Sequence, residues 1–195
     1  MSELNFLKVL KLQIESPTLD FLCRVLQQHQ CVVPYENLSK LIRSAAGDFT
    51  IPSFLNYVHD IKNFGYGRTC FAQNIYLQQL LNFLGFSTEM HGNWVDGKIT
   101  HPSLVIRIDD KNYYVDLGIM STFVGPFELD LKHNFTKQIG NQTYEFASAN
   151  DCQSSHLKIF RQGKMIRELK NTEPVPTQRK SEQAFYKHLK KQKCL

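Results

Sequence analysis

The chain has no apolar run approaching the ~18 residues that a membrane-spanning helix needs, so no membrane partner is expected. Its opening, MSELNFLKVLKLQIE, lacks a basic segment followed by an apolar one, and no signal peptide is expected. Cysteine is sparse: Cys23, Cys31, Cys70, Cys152 and Cys194 are odd in number and without paired spacing. That distribution argues for reduced thiols in a cytoplasm and against a disulfide framework. The three Asn-x-Ser/Thr sequences at Asn37, Asn134 and Asn141 then carry no weight. His29 lies between Cys23 and Cys31, but no Cys-x-x-Cys or comparable ligand spacing accompanies it, so no metal is expected. Internal repeats and low-complexity tracts are absent. An excess of one charge is absent too, except at one end. Of the net charge of +5, all the surplus lies in residues 179–195, where six basic side chains face Glu182 alone. A nucleic-acid reader needs its basic residues on the folded surface, interleaved with stacking aromatics. A basic tail reads as a solvated helix end, and no nucleic-acid partner is expected.

What remains is the composition of an ordinary globular protein, 42% hydrophobic and 21% charged over 195 residues. That length allows one large or two small domains with a real core. The first part of the chain reads as helical. Ser16-Pro17 is a helix start, with Leu19, Leu22, Leu26 and His29 on one face. Thr50-Ile51-Pro52 is a second start, followed by Phe54, Leu55, Val58 and Ile61, with Gly65 as the stop. A third helix begins at Cys70, buries Ile75, Leu77, Leu80, Leu81 and Leu84, and ends at Gly85. Beyond Gly85 the period changes. SLVIRI and YYVDLG flank DDKN as a hairpin, FELDLKHN and QTYEFASA suggest strands, and HLKIFRQGKMIREL suggests a hairpin around Gln162-Gly163. NTEPVPTQ reads as a linker to a short basic helix near 180–192. The expected fold class is α+β, an N-terminal helical bundle followed by an antiparallel, barrel-like β domain. The expected divisions are 1–85, 86–170 and a C-terminal linker and helix at 171–195.

Cys70 is placed unlike the other cysteines. It follows the glycine-bearing turn GYGRT and opens CFAQNIYLQQLLNFLG, which reads as an amphipathic helix. If Thr69 caps that helix, Cys70 sits in its first turn. There the unpaired amides and the helix dipole favour a thiolate, the reactive form. Gly65 and Gly67 would let the backbone approach a bound substrate. The same position also suits a small apolar residue packed under the turn, and the residue alone leaves both readings open. A nucleophilic cysteine needs a base and a group to orient it. His101 lies just before a strand, in ITHPSLVIRI. Asp116 lies in YYVDLG, where a carboxylate among apolar residues is costly unless partnered. A straight hairpin closing at DDKN sets Asp116 near Val105, so Pro102 or a bulge has to bend the strand before the two can meet.

Taken in order, HQCVVPYENL, GYGRTCFAQN, LNFLGF and HPSLVIRIDDKNYYVDLG resemble the arylamine N-acetyltransferase family over residues ~16–130. The family pattern has a histidine before I/V-P-F-E-N-L, then R-G-G-aromatic-C-x-E-x-N, then L-G-F. It continues with H-x-x-L-x-V and Y-x-V-D-x-G. The resemblance implies a triad of Cys70, His101 and Asp116 on a core like that of cysteine proteases and transglutaminases. It implies no bound cofactor. The co-substrate would be acetyl-coenzyme A or another acyl-coenzyme A, whose acyl group passes through the cysteine to a small amine, of arylamine or hydrazine type, by a ping-pong route. Phe71, Gly118, Thr122 and Gly125 become candidates for contact with the acyl donor. A helical domain, a β-barrel and a third, lid-like domain are implied as well.

The sequence departs from the pattern in several places. Tyr66 stands for the family's arginine, Arg68 for its second glycine, Thr69 for its aromatic and Ala72 for its acid, so arginine and acid are lost together. Met120 stands where a glycine is usual, and the chain reaches only the start of the expected third domain. Three functions are therefore carried forward: a coenzyme A-dependent acyltransferase; a thiol amide synthase fed by an acyl carrier protein, or a papain- or transglutaminase-like hydrolase; and a non-catalytic binding module. Retention of all three polar triad positions argues against the last.

Overall fold

The structure, a computed structural model, describes residues 2–48, 50–96, 98–118, 125–129, 133–148 and 155–175. Thr122 and the expected basic helix near 180–192 lie outside the described residues. The helices are α1 (Ser2–Leu10), α2 (Leu19–Val32), α3 (Leu38–Ala45), α4 (Phe54–Phe64) and α5 (Cys70–Phe83). The strands are β1 (Ser87–Val95), β2 (Lys98–Ile108), β3 (Lys111–Val115), β4 (Phe127–Leu129), β5 (Phe135–Ile139), β6 (Gln142–Ser148), β7 (Ser155–Arg161) and β8 (Lys164–Pro174). The α+β class holds.

Two helices start slightly later than the proline signals imply. In α2 the cap is Thr18, whose hydroxyl accepts from the Phe21 N–H at 3.2 Å. In α4 it is Ser53, which accepts from the Asn56 N–H at 3.2 Å. In both, the proline lies just before the cap and the free hydroxyl takes the capping role. Leu19 and Leu55 are exposed, because each lies beside and not within its helix's apolar stripe. Gly65 ends α4 in the left-handed conformation, as expected. The helix α5 is not amphipathic: Cys70, Ala72, Gln73, Asn74, Ile75, Tyr76, Leu77, Leu80 and Leu81 are all buried, so it runs through the middle of the molecule.

The eight strands form one sheet in the order β4-β3-β2-β1-β8-β7-β6-β5. It curls, and it is barrel-like only in that sense, since no ladder joins β4 to β5 among the described residues. The curl gives the sheet two packed faces. Leu104, Ile106, Val115 and Leu117 join the helices in one cluster around Phe6, Leu22, Leu77 and Leu81. Tyr114, Phe127, Tyr144, Phe146, Leu157, Ile159 and Leu169 form a second cluster inside the curl. The segment NTEPVPTQ is not all linker. Residues 171–174 finish β8, where Gly92 and Glu173 are paired.

The hairpin between β2 and β3 is tighter than DDKN suggests. Ile108 pairs with Lys111, so the turn is the two residues Asp109 and Asp110, with Asp109 at φ 53°. Val105 therefore faces Tyr114, and Asp116 falls opposite Ser103 by continuation of that register. His101 is then its diagonal neighbour, a separation that long side chains bridge. No bend at Pro102 is needed for the two to meet. A bulge does occur, but between β1 and β2. Asn93 pairs with His101 while Trp94 pairs with Ile99, leaving Thr100 as the extra residue. Thr100 turns its hydroxyl to Asn93, at 3.1 Å from its carbonyl and 2.9 Å from its side chain. The hairpin around Gln162-Gly163 forms as expected, with φ 51° and 74°.

Candidate active site

Cys70 is the first residue of α5, and its side of the fold is built by backbone contacts from two distant segments. The Gln73 side chain donates to the carbonyls of Pro34, Gly67 and Arg68 at 3.1, 3.1 and 3.2 Å. The Glu36 carboxylate accepts from the Arg68 N–H at 2.8 Å, and from the Ser39 N–H and hydroxyl at 2.8 and 2.6 Å. Gly67 lies so close to Pro34 that a Cβ there would overlap the Pro34 carbonyl. VPYENL and the cysteine turn are thus one knitted unit. Thr69 occupies the N-cap position with extended backbone, but its hydroxyl makes no capping bond. The N–H groups of the first turn, which have no partner within the helix at any helix start, are therefore not taken up by the Thr69 hydroxyl.

Opposite Cys70 stand His101 and Asp116, both buried. His101 Nε2 lies 2.6 Å from Asp116 Oδ2. The other donors to that carboxylate are the Tyr114 hydroxyl, 3.0 Å from Oδ2, and the Asn74 amide and Gly118 N–H, at 3.1 and 2.9 Å from Oδ1. Four donors converge on one buried anion, which is how such a charge is tolerated. Asn74, four residues after Cys70 on α5, also donates to the Pro102 carbonyl at 2.8 Å and accepts from the Leu117 N–H at 3.2 Å. It ties the helix of Cys70 to the strands carrying His101 and Asp116.

The bond from Nε2 to Asp116 leaves Nδ1 of His101 as the free base nitrogen when the ring is neutral. Burial pulls the proton affinity of His101 down. The charge and hydrogen bond of Asp116, and then the nearby Cys70 thiol, outweigh it and push His101 up to about 10. These neighbours favour the protonated imidazole. The arrangement can deliver a nucleophile at one side and exchange its proton at the other.

Of the other expected site residues, Gly118 is against Cys70 itself: a Cβ there would overlap the Cα and Cβ of the cysteine. Phe71 follows Cys70 in the first turn and is half-buried against the helical core. Gly125 has φ 122° and open space around it, so nothing in its packing brings it to the triad. Trp94 sits beside the bulge at the end of β1, paired with Ile99. His29 is buried edge-on to Phe6 at 5.8 Å, as a core residue. Two supporting residues escaped the sequence reading. Asn74 stands in the quoted CFAQN motif, one helical turn from Cys70. Tyr114 stands two residues before Asp116, hence on its side of β3.

An N-acetyltransferase family model matches residues 18–186. No curated protein matches. Among solved structures, arylamine N-acetyltransferases are similar in fold. The Salmonella typhimurium enzyme is 16% identical with a TM-score of 0.73, over 95% of this chain and 68% of that one. The M. smegmatis enzyme is 22% identical with a TM-score of 0.73 over the same shares, 95% and 68%. A Bacillus cereus enzyme, described as having a unique Cys-His-Glu catalytic triad, is 14% identical with a TM-score of 0.65, over 94% and 72%. In this chain the carboxylate on the histidine is an aspartate, and the left-handed φ of 65° at Arg68 occupies the position of a family glycine. The family model spans the cysteine helix, the histidine and aspartate strands and the sheet beyond them, and on that match the chain belongs to the arylamine N-acetyltransferase family.

Proposed function

We propose that this chain is a coenzyme A-dependent acyltransferase in which Cys70 is the nucleophile, His101 the proton carrier and Asp116 the residue that orients it. The observation that carries this reading is the Asp116 carboxylate, fixed by four donors and bound to His101 at 2.6 Å, beside the first residue of α5. The thiolate adds to the thioester carbonyl, the tetrahedral intermediate expels the coenzyme A thiolate, and that thiolate takes the proton from His101. An amine then attacks the Cys70 thioester, Nδ1 of His101 accepts the amine proton, and the thiolate is released with formation of an amide. First-turn amides of α5 are the candidate donors to the oxyanion. Acetyl-coenzyme A is the first donor to test and an aromatic amine or hydrazine the first acceptor. The nucleophile belongs to the helical segment up to residue 85, and base and orienter to the strands that follow. A cytoplasmic setting fits the three free cysteines among the described residues, Cys23, Cys31 and Cys70.

The test is intact-protein mass after incubation with acetyl-coenzyme A, beside a Cys70→Ser variant. A gain of one acetyl group, absent in the variant and discharged by an added aromatic amine, is the expected result. No gain from any coenzyme A thioester, in protein whose Cys70 still alkylates rapidly, would turn the reading to a carrier-protein donor or to hydrolysis.

A further inference from the structure

Arg167 takes no part in the acyl transfer just described, yet it stands over the base. Its Nη2 lies 3.4 Å from His101 Nδ1, the nitrogen turned away from Asp116. Its place on β8 explains why. Arg167 pairs with Ile159 of β7, and both Ile159 and Leu169 are buried in the cluster inside the curl. Arg167 therefore projects from the inner, apolar side of the sheet, at a point where that side opens to solvent. Exposed on that side, the guanidinium is within reach of a ligand that enters beside His101. The nearby carboxylates are committed elsewhere. Asp116 is held by His101, Tyr114, Asn74 and Gly118, and Glu168 pairs with His156 at 2.9 Å. Among the described residues no acidic side chain forms an ion pair with Arg167.

Tyr35, which is 39% exposed, also borders the site. Burial raises its hydroxyl, the charge of Cys70 raises it further, and Arg167 works against both. The hydroxyl also lies beside the Cys70 backbone N–H. Arg167 adds a positive charge beside His101. The site is thereby one charge more receptive to an anion than the triad is by itself, and a guanidinium fork matches a carboxylate in geometry.

We propose that Arg167 binds a carboxylate carried by the substrate at Cys70, selecting carboxylated acyl groups or carboxylated amines over neutral ones. This rests on the reading of Cys70 as the nucleophile. The primary test needs no acyl transfer: alkylation rates of Cys70 with iodoacetate and with its neutral counterpart iodoacetamide, in the parent, Arg167→Gln and Arg167→Lys. Iodoacetamide serves as the internal reference for any general disturbance of the site. The iodoacetate-to-iodoacetamide ratio should fall about fivefold or more in Arg167→Gln and stay nearer the parent in Arg167→Lys. Equal ratios in the parent and Arg167→Gln would overturn the proposal. If Arg167→Gln fails to fold, the parent ratio measured against ionic strength decides the matter. A ratio that drops with salt supports the cation, and one that does not sinks it.

Two further comparisons place the carboxylate. Malonyl- against acetyl-coenzyme A reads the acyl group, and 4-aminobenzoate against 4-methoxyaniline reads the amine. A preference for the carboxylated member in either pair that is lost in Arg167→Gln supports the proposal and names the side. Preferences that ignore Arg167 in both pairs contradict it. A parent that alkylates with an Arg167-dependent ratio but takes no acyl group from coenzyme A would refute the acyltransferase reading and leave the anion site standing.

Discussion

At the scale of single residues, the site depends on groups whose contribution is position and not reactivity. Gly118 combines two such duties. Its N–H donates to Asp116, and its missing side chain leaves room for Cys70. A methyl group there meets backbone and Cβ atoms that cannot rotate away, so Cys70 and Asp116 must separate. Gly118→Ala should cost about 1–3 kcal/mol of stability and lower turnover by about 100-fold through misplacement of the reacting groups. Thermal unfolding and the rate of amide formation read the two effects. Parent-like turnover in Gly118→Ala would remove the steric argument. In the sequence Gly118 suggested contact with the acyl donor. Its approach to Cys70 could not be anticipated, because that approach joins residues 48 apart in the chain.

At the scale of elements, the cysteine is presented by a turn that the helix alone cannot hold. Glu36 accepts from Arg68 across 32 residues of sequence, and its own N–H donates back to the Arg68 carbonyl at 3.1 Å. Arg68 keeps a left-handed φ of 65°, which is costly for a residue with a side chain, by about 1–2 kcal/mol. Its guanidinium is paired with Asp60 of α4, which helps to hold it there. Glu36→Ala would leave the Arg68 and Ser39 amides without their acceptor. A loss of about 2–4 kcal/mol in urea unfolding is expected, together with slower alkylation of Cys70 as the turn loosens. A parent-like urea midpoint would show that VPYENL packs against the turn without supporting it. VPYENL was legible as one motif of the resemblance, whereas the partners of Glu36 required the folded backbone.

At the scale of the whole molecule, two buried histidines give opposite pH dependences. His29, with burial as the cause, is lowered from 6.5 to about 3. The unfolded chain takes up its proton below 6.5 while the folded one refuses it. The stability linked to His29 is therefore present above pH 6.5 and lost as pH falls toward about 3. His101 is raised to about 10, so its contribution is present below pH 6.5 and lost as pH rises toward about 10. His29→Leu should flatten the acid limb of the stability curve, which in the parent falls by up to ~1.4 kcal/mol per pH unit from this group. Equilibrium urea unfolding between pH 4 and 7 measures it, and an acid limb unchanged in His29→Leu would show that other groups set it.

Local patterning and the order of the motifs were enough for the class of fold and the family. Apolar residues at helical spacing up to Gly85, and alternation with turn residues beyond it, are local signals. The order of the four motifs singled out Cys70, His101 and Asp116 before any distance was known. The tertiary structure decided how those residues meet. A two-residue turn, shorter than DDKN implied, set the register that makes Asp116 the diagonal neighbour of His101. The burial of α5 on nearly all sides, the four donors to Asp116 and the position of Arg167 over Nδ1 also emerged only in three dimensions. Each joins segments far apart in the chain, where periodicity and propensity carry no information about which side chain will face which.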